Sequence, residues 1–360
     1  MAQVQIAESK DKIRLDNMYP YTYVRANVMR TKLFRRNDYE KMLKMQFSEL
    51  AKFLQDSSYK AEIDELAVRY SGEELIEMAL TRNLAKTFAK LRRISTTELN
   101  LLIDAYLTKY DILNVKTIVR GIYTSADKDY IKRLLVPAGA FREEFLYELL
   151  KKDSVEDVVR AVPFLEYKHF RKFIEDLKEK GALYEFENAL DQHYFRHLIS
   201  FSEMLPVGGE LFKNFIETQI EATNLLNIVK LIKEGAPKSD MKKYNFLTAS
   251  PEKNLQVLRL LESKSIDSIP KGIRNKAMRK FINECVEHYH KNHSLIEFER
   301  LVNKHVLGRA MLFIHQNPLS INVILGFMFA KEIEVQNLMK IVKGRQLGFS
   351  EEFISREIIV

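Results

Sequence analysis

The residues best suited to bind a metal lie in one short stretch, "CVEHYHKNH" at 285–293. It holds Cys285, His288, His290 and His293, and zinc prefers thiolate and imidazole ligands. On a helix with 3.6 residues per turn, Cys285 and His288 lie close together, whereas His290 and His293 point away from them. A zinc module also needs a second distant pair of ligands, and the sequence has no second cysteine. The pattern therefore predicts no metal site.

Motifs for phosphate binding or covalent catalysis are missing from the sequence. It contains no GxxxxGK[ST] loop, no dinucleotide fingerprint, no nucleophile elbow and no HExxH. His193 and His305 occupy corresponding positions of an internal repeat, described below, in which Asn83 takes the same place. A catalytic base is not expected at parallel positions of structural copies, so we interpret these residues as satisfied polar groups at helix junctions. The sequence predicts a protein without catalysis, cofactor or small-molecule substrate.

The chain is moderately basic, with 57 Lys and Arg against 49 Asp and Glu, a net charge of +8. Basic surfaces favour nucleic acid or anionic membranes. The densest basic stretch is "PKGIRNKAMRK" at 270–280, which contains Lys271, Arg274, Lys276, Arg279 and Lys280. Elsewhere cations and acids are interspersed, which is typical of solvated helix faces. We interpret the stretch as a solvated helix, and nucleic-acid binding stays the alternative.

Composition predicts an all-α fold. The chain has 12 glycines and 8 prolines in 360 residues, and long helically patterned segments separate them. Its most apolar run, "INVILGFMFA" at 321–330, is too short to cross a bilayer, and a single cysteine suits a reducing compartment. These features predict a soluble, cytoplasmic protein. Helix starts are predicted at four serines, Ser71, Ser250, Ser294 and Ser350.

One helical segment is written three times, as "DILNVKTIVRG" at 111–121, "EATNLLNIVKL" at 221–231 and "EVQNLMKIVKG" at 334–344. The copies share an asparagine, an acid three residues before it and a cation six residues after it. The first and third copies also share a closing glycine, which the second replaces with Leu231. The marker residues are Asp111, Asn114, Arg120 and Gly121, then Glu221, Asn224 and Lys230, then Glu334, Asn337, Lys343 and Gly344.

A second marker supports the same period. The segments "LIEMALTRN" at 75–83, "EFENALDQH" at 185–193 and "EFERLVNKH" at 297–305 align on Glu77, Glu187 and Glu299. Their spacings are 110 and 112 residues, against 110 and 113 for the asparagines. A unit of this size forms a small helical bundle of its own rather than one repeat of a solenoid. We therefore predict three bundles around a pseudo-threefold axis, at 19–124, 125–235 and 236–360 after an extension at 1–18. Each marker asparagine is interpreted as a packing or hydrogen-bonding residue rather than a ligand.

The sequence resembles a known family in three segments. The opening "YPYTYVRANVMRTKLFRRNDYEKML" at 19–43, "YDILNVKTIVRG" at 110–121 and "EVQNLMKIVKGRQLGFSEEFISREIIV" at 334–360 are similar to the C subunit of archaeal-type rotary ATPases, a relative of the d subunit of vacuolar ATPases. The resemblance implies a helical funnel that is not catalytic. It implies that the protein binds the membrane proteolipid ring at the cytoplasmic face. It also implies that the protein binds the D and F subunits of the central shaft.

The first helix is predicted to carry an aromatic and basic interface, formed by Tyr21, Tyr23, Arg25 and Met29. The basic balance also predicts attraction to anionic lipid headgroups. Two other functions stay open from the sequence: a free-standing helical scaffold, and a basic nucleic-acid-binding protein.

Overall fold

A computed structural model describes residues 19–205, 209–241, 251–292, 294–316 and 320–359. These ranges contain α-helices and one 3-10 helix but no strand, so the predicted all-α fold is confirmed. Within the same ranges, none of the helices combines the length and apolar character needed to cross a bilayer.

The helices fall into three successive groups, each of which includes two long helices that carry the sequence markers. The first group is α1 (Pro20–Arg30), α2 (Arg36–Met42), α3 (Phe47–Gln55), α4 (Lys60–Leu66), α5 (Gly72–Arg93) and α6 (Thr97–Thr124). The second is α7 (Lys128–Leu134), α8 (Glu143–Leu150), α9 (Val155–Ala161), α10 (Tyr167–Lys180), α11 (Leu183–Met204) and α12 (Gly209–Lys233). The third is α13 (Lys238–Met241), α14 (Pro251–Leu260), a 3-10 helix (Ile266–Gly272), α15 (Lys276–Asn292), α16 (Leu295–Gln316), α17 (Asn322–Gln346) and α18 (Glu351–Glu357).

Helix boundaries follow local chemistry. The Ser350 hydroxyl accepts a hydrogen bond from the Phe353 N–H and caps α18 as expected. Ser71 directly precedes α5, so the predicted helix start is confirmed. Its side chain makes no capping hydrogen bond, so the predicted capping box is wrong. Ser294 directly precedes α16, and Ser250 lies outside the described residues. α6 ends at Thr124, and the next residue, Ser125, adopts the left-handed conformation that closes many helices (φ 52°).

Long helices of successive copies pack against each other. α6 packs on α11, α12 packs on α16, and α17 packs on α5, which links the third copy back to the first. α1 also packs along α17. We call α6, α12 and α17 the inner helices, because their midpoints meet, and α5, α11 and α16 the outer helices.

Candidate functional site

The marker asparagines bind the backbone of a returning segment. Asn114 donates to the Val136 carbonyl and accepts from the Val136 N–H, both at 2.8 Å. Asn337 does the same with Ile359, at 2.7 and 3.0 Å, and in both cases the partner lies 22 residues later. Asn224 is equally buried. An asparagine with both amide groups used in this way clamps a chain segment onto an inner helix.

Two of the three marker acids, Asp111 and Glu334, are buried, and they have different partners. The Asp111 carboxylate accepts hydrogen bonds from the Ala140 and Phe141 N–H groups, at 2.9 and 3.0 Å. A Cβ at Gly139 would lie 2.2 Å from that carboxylate, so only glycine fits there. Burial raises the pKa of Asp111 to about 6, although the two N–H donors lower it.

Asp111 makes stability depend on pH. Its pKa is about 6 in the folded protein against an ordinary value of 3.8, so between these values the folded state binds the extra proton. The resulting stabilisation is complete below about pH 4 and is lost as the pH rises to 6, by on the order of 3 kcal/mol. In denaturant unfolding, the free energy of unfolding of the wild type should therefore fall relative to that of D111N as the pH rises from about 4 to about 6. The exposed Asp129 supplies the control variant D129N, and a constant difference between wild type and D111N would contradict the expectation.

Glu334, the acid of the third copy, joins the first copy to α17. Its carboxylate accepts hydrogen bonds from the Phe34 N–H at 2.7 Å and from the Tyr59 hydroxyl at 2.8 Å, and pairs with Lys331 Nζ at 2.8 Å. Burial lowers the pKa of Lys331, and Glu334 opposes that shift. Glu221, the acid of the second copy, is half-buried.

The marker glycines permit a close helix contact. A Cβ at Gly121 would lie 2.1 Å from Ile131 Cδ1, and one at Gly344 would lie 2.7 Å from Ile354 Cγ1. In each case a short helix packs directly on an inner helix, ten residues further along the chain. In the second copy, Leu231 stands at the position of the glycine. Met241, ten residues later, stands at the position of the isoleucine. Both side chains are buried in a single apolar cluster. A flexible methionine can fit beside the larger leucine.

The marker cations pair with the marker glutamates of the next copy. Arg120 of the first copy contacts Glu187 of the second at 2.8 Å, and Lys230 of the second contacts Glu299 of the third at 3.2 Å. Lys343 of the third copy contacts Glu77 of the first at 2.5 Å. The three ion pairs thus follow the chain from copy to copy and return to the start.

Each of these ion pairs is expected to contribute little to stability. The Arg120 side chain is 58% exposed, and exposed pairs are worth about 0–1 kcal/mol because water screens them. R120A should lower the free energy of unfolding by no more than about 1 kcal/mol. R120E should cost more at low salt because it faces Glu187, and R120E/E187R should restore the loss. A loss insensitive to salt would mean that packing, not charge, holds this junction.

The midpoints of the inner helices meet in a set of contacts that we call the axial cluster: Tyr106, Lys109, Phe215, Gln219, Phe329 and Glu332. The Tyr106 ring lies 5.8 Å from Phe215, which lies 6.1 Å from Phe329. The Tyr106 hydroxyl donates to Glu332 at 2.9 Å, and Lys109 forms an ion pair with the same carboxylate. α6 therefore touches α12, α12 touches α17, and α17 touches α6.

Burial and the nearby Glu332 carboxylate raise the pKa of Tyr106 well above its ordinary value, so it is a neutral hydrogen-bond donor. Burial also lowers the pKa of Lys109, and Glu332 opposes that shift. Lys109, Gln219 and Glu332 each lie five residues before a marker asparagine. They are the same repeat position on three inner helices.

Above the axial cluster the inner helices become accessible. On α6, Leu102 and Tyr106 are fully buried, whereas Leu113, on the same helix face, is 44% exposed. The same change occurs on α12 between Phe212 and Lys230, and on α17 between Leu325 and Gln336. We call this accessible surface on the C-terminal halves of the inner helices the socket. It includes Leu113, Thr117, Arg120, Thr223, Lys230, Gln336, Lys340 and Lys343.

The predicted interface on α1 divides between the surface and the core. Tyr21 is 62% exposed, and Val24 and Val28 continue its apolar stripe. Arg25 and Met29 are partly buried. Tyr23 is 2% exposed and packs edge-to-face on Tyr19 at 6.0 Å. Tyr23 is therefore a core residue, and the accessible face of α1 consists of Tyr21, Val24 and Val28.

The cysteine and histidines considered for zinc do not converge. Cys285 is fully buried, and burial raises the pKa of its thiol to about 12. His290 Nε2 lies 2.6 Å from Asp267, and His288 Nδ1 lies 3.9 Å from Glu297. His293 lies outside the described residues. In the part of the chain that the structure describes, no group of three or more such side chains could hold a metal ion.

The three parallel polar positions on the outer helices lie at junctions. Asn83 donates to the Ser58 carbonyl at 2.9 Å and to Glu62. His193 lies between two phenylalanine rings, at 6.3 and 5.8 Å. His305 stacks on Phe281 at 4.3 Å, but its Nε2 has no hydrogen-bond partner among the described residues. The interpretation as a satisfied polar group therefore stays a prediction for His305.

The basic stretch is exposed, which fits a solvated surface and leaves the nucleic-acid alternative open. Lys271, Arg274, Lys276 and Lys280 are exposed. The Arg279 guanidinium donates to the Ile273 carbonyl at 2.8 and 2.6 Å, so it closes the turn before α15.

The sequence analysis identified both residues of each copy-to-copy ion pair as markers, but it did not predict that they contact each other. It also did not predict the axial cluster. A signal was present, because a long polar side chain recurs five residues before each asparagine. Because the three side chains are Lys, Gln and Glu, an alignment by residue type does not detect them.

Comparison with known proteins gives consistent matches. A family model described as ATP synthase (C/AC39) subunit matches residues 22–357. The C subunit of the A-type ATP synthase of Methanosarcina acetivorans is 30% identical, over 98% of this chain and 96% of that relative. The protein of the same name from Methanococcoides burtonii is 33% identical, over 95% and 94%. That of Haloquadratum walsbyi is 30% identical, over 94% and 97%.

Proposed function

The chain belongs to the ATP synthase (C/AC39) subunit family, and on that basis we propose that it is the non-catalytic central-stalk subunit of an A/V-type ATP synthase or ATPase. In this role it joins the shaft, formed by the D and F subunits, to the membrane proteolipid ring. It lies on the cytoplasmic face as a peripheral subunit and makes or breaks no covalent bond itself.

The observation that carries the proposal is the circular set of contacts between the copies. The ion pairs run from the first copy to the second, to the third and back to the first, and the axial cluster joins all three inner helices. These contacts support three bundles arranged as a closed collar, at 19–124, 125–235 and 236–360. Close-packed helices deform little, so such a collar can transmit torque.

The two ends of the collar suit different partners. In this proposal the socket receives the end of a helical shaft. The opposite end, at the N-termini of the inner helices, faces the ring in this proposal. Because the symmetry of a proteolipid ring need not match that of the collar, we expect the ring contact to consist of many modest interactions.

The proposal is tested by isolating the tagged full-length chain from detergent-solubilised membranes and identifying bound proteins by mass spectrometry. Shaft subunits and the proteolipid should co-purify, and the isolated chain should hydrolyse no ATP. Recovery only from the membrane-free fraction with other proteins would support a free-standing scaffold instead. Recovery with nucleic acid, lost steeply as salt rises, would support the nucleic-acid alternative.

A further inference from the structure

A cavity lies at the junction between the second and third copies. Its walls are formed mainly by α12 of the second copy and by α14, α15 and α16 of the third. The empty space measures about 520 Å³ with its open mouth included, which is the liquid volume of about 17 water molecules. Protein interiors contain few voids larger than a water molecule, so a space of this size that opens to solvent is a candidate ligand site.

The packing of α12 on α16 places opposite charges at one end of this cavity. Lys230, near the end of α12, contacts Glu299, near the start of α16, at 3.2 Å. Glu221 lies nine residues before Lys230, and Arg309 lies ten residues after Glu299. At 1.5 Å per residue, both are about 14 Å from that ion pair along their helices. A carboxylate and a guanidinium group therefore lie at the same level, and both residues line the cavity.

The interior of the cavity is apolar. Leu225 and Val302 line it between the level of the two charged residues and that of the ion pair, and both are at most 7% exposed. At the other end Glu221 is half-buried and Arg309 is exposed. The cavity is therefore apolar in its depth and polar where it meets solvent, which suits a molecule with an apolar body and one polar group.

The charges of the lining favour an uncharged occupant. Among the described lining residues, only Glu221 and Arg309 carry a full charge at neutral pH, because burial lowers the pKa of His305. The carboxylate and the guanidinium group balance each other. A charged ligand would leave water without an excess of opposite charge to receive it, which costs free energy.

The other two copies indicate which polar group the occupant carries. Their marker acids accept hydrogen bonds from protein groups, Asp111 from two backbone N–H groups and Glu334 from the phenol hydroxyl of Tyr59 at 2.8 Å. Glu221, the marker acid of the second copy, instead lines the cavity. A carboxylate has about four acceptor sites, so Glu221 can accept a hydrogen bond from a ligand in addition to its contacts within the protein.

We propose that this cavity binds a small uncharged phenol or a related alcohol. The apolar body lies against Leu225 and Val302, and the hydroxyl donates to the Glu221 carboxylate as that of Tyr59 donates to another marker acid. The hydroxyl can also accept a hydrogen bond from Arg309, whose guanidinium group carries five donors. Since the ligand contacts both the second and the third copy, its binding stabilises the junction between them.

Three probes that share one apolar body test the class of ligand: 4-ethylphenol, ethylbenzene and the anion 4-ethylbenzoate. Each is titrated into the full-length chain with ¹³C-labelled methionine methyl groups, and the NMR signal of Met278, which lines the cavity, is followed. M278L assigns this signal. We expect 4-ethylphenol to bind about tenfold more tightly than ethylbenzene, because it gains a hydrogen bond to a charged group. It should also bind about tenfold more tightly than 4-ethylbenzoate, whose charge Glu221 repels.

Three variants locate the site. E221L removes the proposed acceptor, so its affinity for 4-ethylphenol should fall about tenfold, to that for ethylbenzene. The matched control E210L changes an exposed acid at the start of the same helix and should bind all three probes as the wild type does. A222M fills the cavity, which Ala222 lines, and should abolish binding of every probe. Thermal unfolding checks that each variant is folded.

Equal affinity of the wild type for 4-ethylphenol and ethylbenzene would overturn the proposed class of ligand. Tighter binding of 4-ethylbenzoate would overturn it as well and would indicate an anionic ligand at Arg309. So would a preference for 4-ethylphenol that persists in folded E221L. If E221L does not fold, A222M decides, because unchanged binding of 4-ethylphenol by this variant would show that the cavity is not the site. No change of the Met278 signal in the wild type would lead to the same conclusion.

Discussion

Replacing Asn337 by leucine is expected to lower the free energy of unfolding by about 3 kcal/mol. The substitution removes two hydrogen bonds, to the Ile359 N–H and carbonyl. Ile359 is 1% exposed, so water cannot replace the lost partner, and each unsatisfied group costs about 1–3 kcal/mol. Chemical denaturation of N337L and wild type measures the difference.

Two variants calibrate this expectation. N114L removes the same two bonds, but its partner Val136 is only partly buried, so we expect a smaller loss. N37L changes an exposed asparagine in α2 and should alter stability by less than about 0.5 kcal/mol. Normal stability of N337L together with ATP hydrolysis uncoupled from ion transport would instead assign Asn337 a direct role in coupling.

The repeat is visible in the sequence because its markers are residues that physical constraints keep the same. At Asn114 and Asn337 a side chain must donate and accept on one backbone unit, and asparagine does both at the right length. At Gly121 and Gly344 no side chain fits. Positions under such constraints look alike in each copy, so they reveal the period even though the rest of the sequence has diverged.

The sequence could not show how the copies are joined. Arg120 and Glu187 were both identified as markers, but the spacing of residues along a chain does not determine which of them meet between bundles. The axial position was missed for a different reason. Its three side chains differ in type, as Lys109, Gln219 and Glu332, so a search for similarity passes over it.

Helix geometry could have improved the prediction of the interface on α1. Successive residues of an α-helix are about 100° apart, so Tyr21 and Tyr23 point in nearly opposite directions. One of them had to face the core, and it is Tyr23, beside Tyr19 and α17. Val24 and Val28, which share the exposed side with Tyr21, are apolar and were passed over in favour of charged and aromatic residues.

The junctions between copies differ in strength. The cations of the three copy-to-copy ion pairs are 47–58% exposed, so each pair should contribute little. Glu334 is 2% exposed, and its contacts with the partly buried Phe34 and the buried Tyr59 link the third copy to the first. We therefore expect the collar to depend on its buried polar contacts and apolar core for stiffness, with the outer ion pairs serving mainly to align the copies.

The Lys331–Glu334 pair should give the largest effect of a single substitution. Both side chains are at most 3% exposed, so E334L leaves a buried ammonium group without its counter-charge and the Phe34 N–H without an acceptor. Removing one partner of a buried pair costs about 3–5 kcal/mol. K331M should cost a similar amount, because it leaves the Glu334 carboxylate without its cation.

The double variant K331M/E334L distinguishes a charge effect from lost packing. With both charges gone, neither is left uncompensated, and apolar replacements of a buried pair are often tolerated. We expect the double variant to be more stable than the less stable single variant, with a coupling energy of about 2 kcal/mol or more in a double-mutant cycle. The exposed pair Arg36–Glu40 within α2, with side chains 76% and 56% exposed, is the control and should show coupling below about 0.5 kcal/mol. Additive losses at Lys331 and Glu334 would mean that the two side chains stabilise the protein independently, and that the junction from the third copy to the first does not depend on their charge.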